Sequence, residues 1–116
     1  MTMRVRMHGN IDLKDPSDAD GFAADFNSFS EHLASHGFVI HWSFSKRISH
    51  AGYDAKEPKT SYYVSMDFAD MTYANDCYKY VQKNQEPLRS LHHSMNSRVI
   101  RKTTQFYLTE EILLSD

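Results

Sequence analysis

A chain of 116 residues, 41% apolar and 13% aromatic, can build one domain (1–116) around its own core and carries too many Phe and Tyr for a disordered segment. Its formal net charge of -2 argues against a nucleic-acid partner, which needs a cationic excess to displace phosphate counterions. A single cysteine, Cys77, excludes an internal disulfide framework and suits a reducing compartment; with no apolar run of signal-peptide or membrane-spanning length, the expected location is the cytoplasm, with no membrane partner.

Along the chain, Met3, Val5, Met7, Ile11 and Leu13 alternate with Arg4, Arg6, His8, Asn10 and Asp12, Gly9 occupying one apolar slot. That period of two predicts a half-buried strand. Asp15-Pro16-Ser17-Asp18 is a helix start, with a capping side chain beside a proline already at helical φ. The helix that follows carries Phe22, Phe26, Phe29 and Leu33 on one narrow stripe and is expected to end at Gly37. A second strand is predicted with Phe38, Ile40, Trp42 and Phe44 on one face and Val39, His41, Ser43, Ser45 and Arg47 on the other. Residues 49–60 are rich in turn formers and are longer than an ordinary hairpin loop. A third strand places Tyr62, Val64, Met66 and Phe68 on one side, Tyr63, Ser65 and Asp67 on the other. Asp70 is the expected cap of a second helix with the stripe Met71, Ala74, Cys77, Tyr78 and Val81. Pro87 is expected to stop that helix and open a short one bearing Leu88, Leu91 and Met95, before a last strand over 98–109 around Val99, Ile100, Phe106 and Leu108, whose facing the pattern leaves open.

The order is β-α-β-β-α-β. Right-handed crossovers fold it into a ferredoxin-like α+β domain: a four-stranded antiparallel sheet with both main helices on one face. The opposite face then displays Arg4, Arg6, His8, Asn10, Asp12, His41, Ser43, Ser45, Arg47, Tyr63, Ser65 and Asp67. That face either meets water or packs against a second copy about a two-fold axis, enclosing a polar pocket. In this order and facing the chain resembles the dimeric α+β barrel superfamily. In the stretches His50-Ala51-Gly52-Tyr53-Asp54, Tyr62-Tyr63-Val64-Ser65-Met66-Asp67-Phe68-Ala69-Asp70 and Pro87-Leu88-Arg89-Ser90-Leu91-His92 it is similar to an uncharacterised bacterial family within it. The resemblance implies a homodimer. It fixes no activity, since the superfamily holds antibiotic-biosynthesis-type monooxygenases, haem-degrading enzymes, lactone isomerases and chlorite dismutase relatives.

The candidate catalytic residues are His8 and His41 as acid/base, Tyr63 as an oxyanion donor and Asp67 as the orienter of a histidine. Against these stand a hydrogen-bonded sheet histidine and an Asp67 ion pair to Arg4 or Arg6. Arg4, Arg6 and Arg47 are candidate anchors for an anionic group or else serve solubility and blunt the sheet edge, and His50 and Tyr53 are candidate ligand contacts from the 49–60 loop, read as an arm onto the partner rather than a lid over the pocket. No metal or cofactor is expected. His32 and His36 have the i, i+4 spacing of ligands without an HExxH glutamate, adjacent His92 and His93 diverge on a helix, and the four glycines are isolated, so no phosphate loop exists. The reading is a homodimer that takes a small organic ligand between sheet and helices or between the two sheets, as a cofactor-independent monooxygenase or isomerase. The alternative is a non-catalytic module whose polar face only mediates dimerisation.

Overall fold

A computed structural model describes residues 3–54, 56 and 59–115. Residues 55, 57 and 58 of the expected 49–60 loop, residue 116 of the tail, and residues 1 and 2 lie outside them.

Four strands form one sheet: β1 (Val5–Ile11), β2 (His41–Lys46), β3 (Tyr62–Phe68) and β4 (Gln105–Glu110). Its order is β2-β3-β1-β4, every neighbouring pair antiparallel. β1 therefore runs parallel to β2, and β3 to β4, each pair joined by a helical crossover. This is the ferredoxin-like arrangement expected from the chain order. The helices are α1 (Ala19–Ser35), α2 (Met71–Gln82) and α3 (Leu88–Arg98).

Local chemistry sets the ends of these elements. Asp15 accepts the Ser17 amide and opens a 3-10 turn over Pro16–Asp18 that leads into α1. Gly37, at φ +82°, closes α1 with paired bonds from Phe38 N to Leu33 O (3.1 Å) and Gly37 N to Ala34 O (2.9 Å). That pairing requires a left-handed residue, which glycine adopts without a Cβ penalty. Asp70 accepts the Tyr73 amide at 3.1 Å and caps α2.

Register divides the sheet into two chemistries. Val5, Met7, Gly9 and Ile11 of β1 lie opposite Phe68, Met66, Val64 and Tyr62 of β3, on the side the helices cover. Phe22, Phe26, Phe29 and Leu33 of α1 are buried against them, with Phe22 and Phe44 rings 5.0 Å apart. α1 is tied to α3 by Arg98, which bonds Asp18 and Asp25, and by Ser94, which also donates to Asp25.

Gly9 sits where the sheet admits no side chain: a Cβ there would lie 2.6 Å from Val64 Cγ2 and 2.7 Å from Phe106 Cε1. Val64 is buried and β-branched, so it has no free rotamer to yield into. Gly9→Ala is expected to lower unfolding free energy by about 1–3 kcal/mol, the usual range for overpacking, as read from urea denaturation.

Several expectations are corrected. The alternation predicted through strand two slips at its start: Val39 is buried at 3% exposure, whereas Ile40 is 49% exposed. The backbone bends at Phe38 and Ile40, and regular pairing begins only at His41. β1 ends at Ile11, and Leu13 instead bridges Val99. Pro87 does not stop α2, which ends at Gln82; Asn84, at φ 54°, turns the chain, and Pro87 precedes an eleven-residue α3. On α2, Ala74 and Cys77 are buried but Met71 and Tyr78 are exposed. The last strand's open facing is resolved by its register: Phe106 and Leu108 lie opposite Gly9 and Met7 on the helix side, Tyr107 and Thr109 opposite His8 and Arg6 on the polar side.

Candidate functional site

The sheet face away from the helices brings together Arg4, Arg6, His8, His41, Tyr63 and Asp67, as the alternation implied. Two networks divide it. In the first, Asp67 is only 1% exposed and accepts Arg6 Nε at 2.6 Å and Nη2 at 3.0 Å, a bidentate pair. Arg4 Nη1 lies 3.8 Å and His41 Nδ1 3.9 Å from the same carboxylate. The hydrogen bond from Arg6 holds the Asp67 carboxyl below its usual range, outweighing burial. Asp67 is thus the ion-pair partner of Arg6 before it is an orienter of any histidine.

The second network centres on His8. Its Nδ1 lies 2.6 Å from Tyr63 Oη and its Nε2 2.7 Å from Thr109 Oγ1, and its ring stacks on Tyr107 at 4.6 Å. Burial, and then the charge of Arg6, push the His8 imidazole down, while burial pushes the Tyr63 phenol up. A neutral imidazole satisfies both bonds by donating through one ring nitrogen and accepting through the other. Ser43 and Ser65 hydroxyls meet at 2.6 Å beside these groups. Both His8 nitrogens and the Tyr63 hydroxyl are thus already engaged within the chain.

The remaining candidates lie elsewhere. His50 and Tyr53 share a compact turn, in which the Tyr53 and Asp54 amides bond the His50 carbonyl and the His50 amide bonds Asp54. Tyr53 is 89% exposed. The Arg47 amide donates to Ser61 O at 2.8 Å, just beyond β2. Asp12 accepts the Ser61 amide at 2.7 Å and so braces the end of that loop. His32 and His36 converge on the Tyr80 hydroxyl at 3.1 and 3.3 Å.

A second feature lies at the first of the two places the sequence allowed for a ligand, between the sheet and the helices. Between the sheet and the helices lies a cavity of about 800 Å³, within the size range of ligand sites. Its walls are apolar: Phe26 and Phe29 from α1, Met7, Met66 and Leu108 from the sheet, Met95 from α3. Cys77 is also there, its thiol pushed up to about 11 by burial, so it is a small apolar wall group. Polar groups are few: His92, Asn96, Asn75, Gln82, Arg101 and Thr104. Burial, and then Arg101, push the His92 imidazole down, and its ring stacks on Phe29 at 5.5 Å. Side chains of β1 and β3 alternate, so His8, Tyr63 and Asp67 point away from this cavity. Its only sequence signals were the excess of Met and Phe on the inward faces and a histidine one position from an apolar stripe.

A family model described as a family of unknown function (DUF6614) matches residues 3–109. Among solved structures, the chain is similar to SnoaB of Streptomyces nogalater, described as a cofactor-independent oxygenase, at 9% identity over 97% of each chain with a TM-score of 0.64. A dimeric ferredoxin-like protein of unknown function from Thermobifida fusca matches at 11% identity over 96% of this chain and 93% of its own, TM-score 0.60. A DABB family protein with a ferredoxin-like fold from Mesorhizobium loti matches at 16% identity over 98% and 100%, TM-score 0.57. At these identities the likeness shows the fold alone. The search of curated proteins returned no match. Among the described residues no helix is long and apolar enough to cross a membrane.

Proposed function

The chain belongs to a family of unknown function, DUF6614, and we propose that it binds a small, largely apolar organic molecule in the cavity between its sheet and helices. The observation that carries this reading is the cavity: about 800 Å³, walled by Phe and Met side chains, with a handful of polar groups among them. The cavity opens to solvent past Tyr78, Phe106 and Leu108, all exposed, so an apolar molecule can enter it and supply the contacts its walls lack. Methionine and phenylalanine walls are adaptable and suit a flat hydrophobic ligand.

Two copies pair through their polar sheet faces. The described C-terminal stretch beyond β4 supports pairing, since Ile112, Leu113 and Leu114 are all more than half exposed in a single chain. A Thermobifida fusca protein of the same fold is described as dimeric. The engaged state of His8 and the pairing of Asp67 favour this face as a subunit contact over a catalytic centre. Chemistry, where there is any, falls to the cavity, and the description of SnoaB as a cofactor-independent oxygenase supports seeking it without an added cofactor.

The test is a titration of the purified chain with an anilino-naphthalene sulfonate dye, with the native mass measured alongside. One saturable site per chain and a dimeric mass are expected. Absence of saturable binding would remove the cavity reading, and a monomeric mass would remove the pairing.

A further inference from the structure

We propose that His92 is the proton-transfer residue of the cavity, acting as base toward a weak oxygen or carbon acid, a phenol or an enolisable ketone, carried on an apolar body. This rests on the cavity being the ligand site. α3 stands between two hollows. On one side is the apolar cavity; on the other is an open, polar groove whose lining includes Glu86, Arg89, Ser90 and His93. His92 and Asn96, one helical turn apart, line both. The apolar walls of the cavity carry no proton acceptor, so a reaction that moves a proton there needs a titratable group in the lining, best with its other side in contact with solvent. His92 occupies that place.

Its surroundings suit a base. Phe29 covers one ring face, and Arg101, Tyr78 and Cys77 face the same chamber, with Glu86, Arg89 and His93 on the groove side. Burial and the nearby Arg101 charge keep the imidazole neutral at neutral pH, so one ring nitrogen carries a lone pair. The ligand's O–H or C–H bond breaks with its electron pair left on the ligand as phenolate or enolate. The proton forms a new N–H bond on His92. The imidazolium and the Arg101 guanidinium then face the anion, which neither water nor the Phe and Met walls would stabilise as well. Return of the proton to a different ligand atom completes an isomerisation, and its release into the groove leaves the anion. No electrons leave the pair of reactants, so no oxidant is required.

The experiment uses 2-naphthol, whose excited state is a strong acid and emits at longer wavelength once deprotonated. Bound to the full chain, it is expected to show the naphtholate band. His92→Phe, which keeps the aromatic contact with Phe29, and His92→Gln are both expected to retain binding and lose that band. Naphtholate emission that survives in variants that still bind would overturn the role of His92. Failure of the unmodified protein to bind 2-naphthol would overturn the cavity reading itself, and the proton-transfer role with it.

Discussion

Arg6→Ala is expected to cost about 2 kcal/mol of unfolding free energy, more than any other change on the polar face. Arg6 is itself 45% exposed, so the pair is half buried, but its loss strips a buried carboxylate of both hydrogen bonds, which typically costs about 1–3 kcal/mol. Asp67 is the member left behind, and it is 1% exposed. The value stays below the top of that range because Arg4 and His41 remain within 3.8 and 3.9 Å of the carboxylate and water enters where Arg6 was. Asp67→Asn is expected to cost less, since the stranded guanidinium is 45% exposed and water takes it up. The pH dependence carries a sign. Asp67 is held below its usual range in the folded chain, while its unfolded value is about 3.9. Its stabilising contribution is therefore complete above that value and is lost as the pH falls toward the folded one. The gap between native protein and Arg6→Ala should be widest at neutral pH and narrow in acid as Asp67 takes up a proton in both. Urea midpoints at a series of pH values measure it. Equal midpoints at pH 7, or a gap that widens in acid, would show that Asp67 does not depend on Arg6.

The same pair shows what the sequence makes legible. Arg4, Arg6, Tyr63 and Asp67 fall on one face because a strand has a period of two, which no tertiary contact can change once both strands are central. Which of them bond was not legible: the alternation allows Asp67 to meet a histidine or an arginine, and register decides for Arg6, directly opposite on β1. Where one residue of irregular backbone intervenes, the pattern fails at once, as at Val39 and Ile40 beside Gly37. β4 resisted for the same reason, because a 3-10 turn over Arg101–Thr103 separates it from Val99 and breaks the phase.

The place of the cavity was one of two the sequence allowed, but its size and lining were illegible on different grounds. A stripe of apolar residues states that a face is covered, but not how closely. Tyr78 satisfies the α2 stripe and yet stands exposed at the cavity wall, because α2 meets the sheet through Ala74 and Cys77, two small side chains. Small residues at such a place admit close packing or a hollow, and only the three-dimensional arrangement chooses. His92 was hidden likewise: beside His93 it looks like half of a surface pair, and the ring that covers it, Phe29, comes from α1, far away in the chain.

That origin makes the cavity separable from stability, and Ala74→Phe exploits it. Ala74 is buried on α2 and lines the hollow, so a benzyl group there extends into space that is already empty. Overpacking a dense core costs about 1–3 kcal/mol, but filling a void restores contacts to a lining that lacks them. The variant is expected to unfold at the same urea concentration as the native chain or a higher one. Its affinity for the naphthalene dye is expected to fall at least about tenfold, equivalent to about 1.4 kcal/mol, because ring and ligand claim one volume. The opposed signs give the prediction its force. A merely damaged core would lose stability and dye binding together, whereas a dye held at the polar sheet face would be indifferent to the change. Undiminished binding by a stable Ala74→Phe chain would place the ligand outside the cavity, and His92 would have nothing to act on.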